Sequence, residues 1–504
     1  MKEIGYLNFK DMRKSSLYII ISLLFCNLSC TEYLDVKNKG EVIPETAEEF
    51  SALLHKHLYN IDGAGEYAFF GAPSTAASYE AYTDNWDADL TTKLDLPIYV
   101  GSDISSLSFR FKSLYEVIRD CNIVIGELKE RDTEFGKKLL ATAYTIRAVC
   151  YYTLMRNYCE PYDKSNATKM LGVPIVKEFD MEGKPERSDL KETADFIVED
   201  LKQAISLNQT DEHYRFYVDV SKAYLARVYF WMQEWALAAS MAKEVLDKYP
   251  LISGEAYKEM IQSEVKQLGN VLIRSGISKS EGYVYTDMQK TKGRPLSLEF
   301  VNLFVEKERD IRYTFSFNTE FVNTKMLKTS LRTAEMCLIM AESYVHSGDT
   351  ENGLKYLNHL RENRITGYTP YTESNLPAVD PAALVQVDAE GKPLTPLMAA
   401  ILNERRKELY LEGDRWGLID PVATSIPWFK PVDGERVVAF FNPLYDMEGG
   451  KGVRVKMEGV QELLTKEVED MTTEEEAVEF GNDPIVIYQG DMWLGGKFLN
   501  IIFH

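Results

Sequence analysis

Cysteine and histidine are scarce in this chain, six of each among 504 residues, and their spacing builds nothing. There is no Cys-x-x-Cys and no even, closely spaced set, so neither a disulfide framework nor a zinc site is expected. Cys150 and Cys337 fall inside apolar helical runs, where a free thiol packs as a small hydrophobe. His55 and His57, the one close histidine pair, are two apart on a helical pattern and point to different faces. No cofactor and no metal enters the reading. Positive charge is the second shortage: 57 Lys and Arg stand against 78 Asp and Glu, a net charge of −21. Residues 1–29 carry four basic and two acidic side chains, so the remainder stands at −23. A surface this acidic argues against binding nucleic acid or anionic lipid through charge.

Long apolar runs are the third absence. Leu17 to Leu28 is twelve residues interrupted by Ser22 and Asn27, whereas a spanning helix needs about 20. Arg13 and Lys14 precede the run and Ser29 stands before Cys30, the order of an export signal, so residues 1–29 are expected to be removed. Either Met1 or Met12 can be the initiator, and Met12 gives the more positive start. A signal ending in Cys points to lipid attachment at Cys30, which tethers a chain without embedding it. An ordinary cleaved signal with Cys30 as a thiol is the alternative.

What is plentiful is helical periodicity and tyrosine. Thirty Tyr and 12% aromatic residues on an acidic, exported chain suggest neutral ligands held by ring stacking and hydroxyl hydrogen bonds. Helices are expected near 46–58, 107–130, 134–158, 189–207, 219–232, 235–248, 297–306, 327–347, 350–364 and 396–412. Ser188-Asp189 is read as a cap with Glu192 in the first turn that follows, and Ser221 as another. Short strand-like pieces stand at 173–176, 271–275, 436–441 and 485–488, so the class is mostly α. In "SKAYLARVYFWMQEWALAASMAKEVLDKYP" the residues Ala226, Tyr229, Trp235 and Ala238 occupy positions 8, 11, 17 and 20 of a 34-residue unit. In the unit around Ala341, Tyr344 and Gly353 the same positions recur. This resembles the tetratricopeptide repeat, in which small residues at 8 and 20 let two helices approach. Four such units are expected near 134–160, 219–250, 331–365 and 396–416, with insertions at 251–330 and 366–396. Generic helical hairpins would give the same class.

A wider pattern then emerges from "CTEYLD", "VIPETAEEFSALL", "SLYEVIRDCNIVIGEL", "AYTIRAVCYYTLMRNY", "LGVPIV" and "RSDLKETADFIVEDLKQAI". It continues through the 221–246 helices, "LRTAEMCLIMAESYVHSGDTENGLKYLNHLRENR" and "ILNERRKELYLEGDRWGLID". In this order, from Cys30 to about 420, the chain resembles the SusD/RagB family of outer-membrane nutrient-binding lipoproteins. It departs at Asp414 and Gly417-Leu418, and the family's C-terminal endings are not recognisable after 480. The resemblance implies one SusD-like nutrient-binding domain over 30–504, a tetratricopeptide-like scaffold with a loop-rich ligand side, and few strands. It further implies an outer-membrane lipoprotein facing the exterior, anchored through Cys30, with a SusC-like TonB-dependent transporter as partner. Glycans, or in some members peptides, are handed to that transporter without chemistry.

Sugar sites need flat aromatic faces with amides or carboxylates at the rim, because a pyranose shows C–H patches on its faces and hydroxyls at its edge. "SYEAYTDNWDAD" at 78–89 supplies Tyr79, Tyr82, Asn85 and Trp86, the first choice for a glycan site. A small packed core under the loop accounts equally well for Trp86 and one Tyr. Tyr283 and Tyr285 in the first insertion are a second choice, and Trp428 between prolines a third. Glu404, Arg405, Arg406, Glu408 and Glu412 crowd one helix, where ion pairs such as Glu404 with Lys407 or Glu412 with Arg415 would lock packing. Two readings from other classes are a surface glycoside hydrolase, which needs a positioned carboxylate pair, and a repeat scaffold that grips another protein.

Overall fold

The 3.6-residue apolar period of this chain resolves, in a computed structural model, into twelve helices among the described residues. Those residues are 44–62, 85, 104–178, 183–262, 271–274, 295–326, 330–381, 383 and 385–412, with five short strands beyond. The chain divides into Met1–Glu45 and Thr46–His504, and the second unit holds every element below. It begins with α1 (Ala47–Asp62), α2 (Ile104–Glu127) and α3 (Glu134–Tyr158). The hairpin β1 (Leu171–Pro174) and β2 (Arg187–Asp189) leads into α4 (Leu190–Ser206), then α5 (Val218–Trp231), α6 (Trp235–Lys248) and α7 (Gly254–Gln262). After β3 (Val271–Arg274) come the short α8 (Leu298–Asn302) and α9 (Tyr313–Ser316), then β4 (Ser330–Arg332). The longer α10 (Thr333–His346), α11 (Thr350–Glu362) and α12 (Pro396–Glu408) follow.

Capping fixes where several helices start. Thr133 accepts from the Gly136 N–H at 2.9 Å to open α3, and Asp189 from the Glu192 N–H at 2.7 Å to open α4. At α12 Thr395 caps the Met398 N–H and Pro396 sits in the first turn, where a missing N–H costs nothing. Ser221, expected as a cap, lies inside α5, which begins at Val218 without a side-chain cap. Its hydroxyl instead meets Thr145 Oγ1 at 2.8 Å, tying α5 to α3. The helix expected from 327 begins at Thr333, because Ser330–Arg332 pairs as β4 with β3, placing Leu331 opposite Ile273.

Neighbours in the main array follow chain order: α2 on α3, α3 on α4, α4 on α5, α5 on α6. Then α6 packs on α10, stepping over the segment between them, and α10 on α11, with α12 against both. The close approach within the last hairpin depends on Gly353: a Cβ there would lie 2.5 Å from Val345 Cγ2 and 3.1 Å from the Ala341 carbonyl oxygen. Ala226, Ala238 and Ala341 are fully buried at the corresponding small positions. One apolar cluster runs from Ala47 to Leu409, and three smaller ones sit under the insertions. Cys121, Cys150 and Cys337 are buried free thiols. Further along, β5 (Lys430–Val432), β6 (Glu435–Phe441) and β7 (Gly452–Lys456) form an antiparallel sheet, and β8 (Gly490–Leu494) pairs with β9 (Lys497–Ile501). The expected strand at 485–488 lies outside the described residues.

Candidate ligand-binding region

Of the six side chains expected to bind ligand, Asn85 is described; Tyr79, Tyr82, Trp86, Tyr283, Tyr285 and Cys30, the expected point of lipid attachment, lie outside the described residues. Asn85 is fully buried. Its side-chain oxygen accepts from Arg406 Nε at 2.6 Å, and its carbonyl oxygen accepts from the Ser297 N–H, the cap residue of α8, at 2.8 Å. In this arrangement the amide is a fastening point and not a rim group. Asn85 itself is thereby tied to α12 and to the first insertion at once.

What makes α12 a firm anchor is a buried ion network. Glu404 and Glu408 lie one turn apart on α12, which ends at Glu408, short of the expected 412; Glu412 lies four residues past that end, and each of the three spends both oxygens on partners. Arg312 gives Nη2 to Glu404 Oε1 at 2.5 Å and Nη1 to Glu408 Oε2 at 3.0 Å, while its Nε and Nη2 grip Asp310. Arg332 reaches Glu408 Oε1 at 2.5 Å and both oxygens of Glu412 at 2.9 Å. Arg364 donates to both Glu408 oxygens, at 3.0 and 2.9 Å, with its guanidinium 3.7 Å above the Tyr257 ring centre. Arg361 and Lys407 meet Glu404 Oε2 at 2.6 and 2.9 Å, and Lys325 meets Glu412 Oε1 at 2.9 Å. Each of these side chains is at most 3% exposed.

Burial alone would push these carboxyls up, yet the cations around them win. Glu412 is held at about 2, and Glu404 and Glu408 lie far below the usual carboxylate range. The network's six cations, Arg312, Lys325, Arg332, Arg361, Arg364 and Lys407, face five carboxylates, Asp310, Glu306, Glu404, Glu408 and Glu412. Burial accordingly lowers Lys325 and Lys407 from the ordinary lysine value. Carboxylates this dry, ionised and fully engaged have no oxygen left for a water or a glycosidic bond, so the arrangement serves packing. The expected pair Glu404–Lys407 is present; Arg415 lies outside the described residues, and Glu412 is engaged by Arg332 and Lys325. Sequence spacing showed the glutamates but not their distant partners.

A second region passed unnoticed in the sequence. Between the end of α6 and one face of α11 opens a cavity of roughly 630 Å³, lined in part by Leu246, Asp247, Tyr356, His359 and Glu362. Among the described residues no group of His, Cys, Asp and Glu is placed to hold a metal, and no helix is long and apolar enough to cross a membrane.

Comparison with known proteins bears on both regions. Residues 32–230 match a SusD-like family described as starch-binding and associating with the outer membrane, and residues 303–417 match the SusD family itself. No curated protein matches the chain. Among solved structures, a SusD superfamily protein of Bacteroides thetaiotaomicron VPI-5482 is 21% identical with a TM-score of 0.57, covering 76% of this chain and 89% of its own. A SusD-like carbohydrate binding protein of Bacteroides vulgatus ATCC 8482 is 17% identical at 0.55, covering 82% and 90%. A SusD-like protein of Bacteroides fragilis NCTC 9343 is 16% identical at 0.55, covering 82% and 91%. These likenesses show a shared fold. With the two family matches at 32–230 and 303–417, and the helical array they cover, the chain belongs to the SusD/RagB family.

Proposed function

We propose that this protein is a surface-exposed outer-membrane lipoprotein that captures glycans and passes them to a SusC-like TonB-dependent transporter, performing no chemistry itself. The observation that carries the reading is Asn85, a residue of the aromatic-rich sequence 78–89, whose side chain is held by Arg406 on a helix locked in an ion network. A binding surface needs rigid aromatic faces, and rigidity lowers the ordering cost of binding. Tyr79, Tyr82 and Trp86 supply rings on either side of Asn85 in the sequence, and Tyr283 and Tyr285 in the insertion supply more. Cys30, following an export-type signal, supplies the anchor, and the outer membrane is the location that the family description names. The description of one matching family as starch-binding supports a saccharide ligand.

Calorimetry of the full-length protein in detergent against plant, host and microbial polysaccharides, with a peptide mixture alongside, tests this. The expected result is saturable binding to a glycan that Trp86→Ala weakens at least about tenfold, as losing a stacked ring of about 1.4 kcal/mol or more requires. Binding confined to the peptides, or release of shortened saccharides during incubation, overturns it.

A further inference from the structure

The cavity between α6 and α11 has the composition of a binding site and belongs to neither the ion network nor the 78–89 stretch. Its volume, roughly 630 Å³, lies within the range of about 300–1,000 Å³ common for small-molecule sites. Lys355, His359 and Glu362 are spaced by four and three along α11, which brings all three to one face of the helix. Opposite them stand Leu246 and Asp247 from the last turn of α6, with Pro250 just beyond.

Two of the cavity's side chains, Tyr356 and Asn358, are held before any ligand arrives. The Tyr356 ring stacks on Tyr344 with 5.7 Å between centres and only 5° between planes. Asn358 has its side-chain oxygen held by the Tyr371 N–H at 2.9 Å and the Tyr368 hydroxyl at 2.5 Å, and its side-chain nitrogen by the Tyr371 carbonyl oxygen at 2.9 Å. Asp247 is already matched by Lys243 at 2.5 Å. His359 is half-buried, burial favours its uncharged form, and among the described residues neither ring nitrogen has a partner. A neutral imidazole offers one donor and one acceptor, the pair a hydroxyl group satisfies from either side. An apolar floor of Leu246, Pro250 and Tyr356 beneath it suits the C–H face of a ring. Glu362 can accept from the hydroxyl groups of a neutral polyol and Lys355 can donate to them.

We infer that this cavity is a second carbohydrate subsite, which holds a neutral sugar unit through His359, Glu362 and the floor around Tyr356. The inference rests on the glycan-binding reading above and extends it: a polymer that meets two separate contacts on one protein is retained more strongly than either contact alone allows.

The test uses full-length protein in detergent labelled with [13Cε1]-histidine, with the His359 signal identified by its loss in His359→Gln. Methyl glycosides of glucose, galactose, mannose, xylose and N-acetylglucosamine are titrated one at a time, with a tripeptide as the contrasting probe. The expected result is a saturable shift of the His359 signal with at least one glycoside, unchanged in Trp86→Ala and weakened about tenfold in Glu362→Gln, the loss expected when a hydrogen bond to a charged group is removed. A His359 signal that moves with no glycoside, or only with the tripeptide, overturns the subsite. If Trp86-dependent polysaccharide binding persists in that protein, the glycan reading stands without it; if polysaccharide binding is absent as well, both fall.

Discussion

From Glu134 to Lys248 the helices of this protein meet through aliphatic side chains and rings, whereas around α12 they meet through charge. In the first region α3 buries Leu139, Ala143, Ile146, Val149 and Leu154, and aromatic edges such as Tyr151 on Phe196, centres 5.0 Å apart, fill the seams. The ion pair buried there, Arg147 with Asp200, bridges two neighbouring helices at 2.7 and 2.8 Å. In the second region the partners come from 310–312, 325–332, 361–364 and 404–412, four stretches far apart in sequence. Apolar contact is tolerant of which residue meets which, since it scales with area removed from water. A buried charge is not: it is stable only beside its mate, and a wrong neighbour leaves it unpaired. The apolar stack thus supplies bulk stability, and the ionic centre fixes the register in which the insertion around 295–332 closes on the array.

Breaking the ionic centre should therefore cost more than any change of similar size in the stack. Glu408→Gln keeps the shape but removes the charge shared by Arg312, Arg332 and Arg364, all fully buried. An unfolding midpoint in urea should fall by the equivalent of about 3–5 kcal/mol. A loss under about 1 kcal/mol would mean that water enters the site and solvates the arginines.

Acid should single out the same region. Glu412 is held at about 2 in the fold and Glu404 and Glu408 are likewise depressed, below the roughly 4.3 of an unfolded glutamate. A carboxyl whose folded pKa is depressed contributes its stability fully above the unfolded value and loses it as pH falls through the window toward the folded one. Urea midpoints measured at pH 7, 4.5 and 3 should hold nearly level over the first interval and drop over the second, with a shallower drop in Glu408→Gln. A midpoint equal at pH 4.5 and pH 3 would contradict the network's contribution.

The contrast also explains what could be read in advance. The ten helices expected from periodicity are all present, because a repeating apolar stripe is a local property that survives whatever it packs against. Of the missed helices, α9 is four residues long, too short to show a stripe, whereas α7 carries one, Tyr257, Met260 and Ile261, that spans little more than a single turn. The three-residue β4 went unseen because a strand that short exists only through its partner β3, about sixty residues earlier. At the site the same rule holds. The row Glu404, Glu408, Glu412 was visible as a helical spacing, but nothing near it in sequence names Arg312, Lys325 or Arg332. Asn85 was legible as a polar residue in an aromatic stretch, but its burial against Arg406 depends on a residue more than three hundred positions away. The cavity at α11 escaped for a further reason, since each of its polar residues reads singly as an ordinary exposed helix position.

The smallest expected effect probes the stack where it approaches the ionic centre, in the α10–α11 hairpin. Replacing a helical glycine by alanine ordinarily stabilises by roughly 0.5–1 kcal/mol, because the unfolded chain then has less backbone freedom to lose on folding. At Gly353 the sign should reverse. A Cβ there would lie 2.5 Å from Val345 Cγ2, closer than carbon atoms approach, so α10 and α11 must separate or Val345 must leave its rotamer. Overpacking of this kind costs about 1–3 kcal/mol, so Gly353→Ala should lower the urea midpoint despite the better helix former. Adding Val345→Ala removes the obstructing methyl, and the double variant should then be more stable than the sum of the two single losses predicts, a coupling of about 1 kcal/mol or more. Additive losses would show that the glycine serves backbone geometry and not close approach, and the resemblance of this hairpin to a small-residue repeat interface would lose its physical basis.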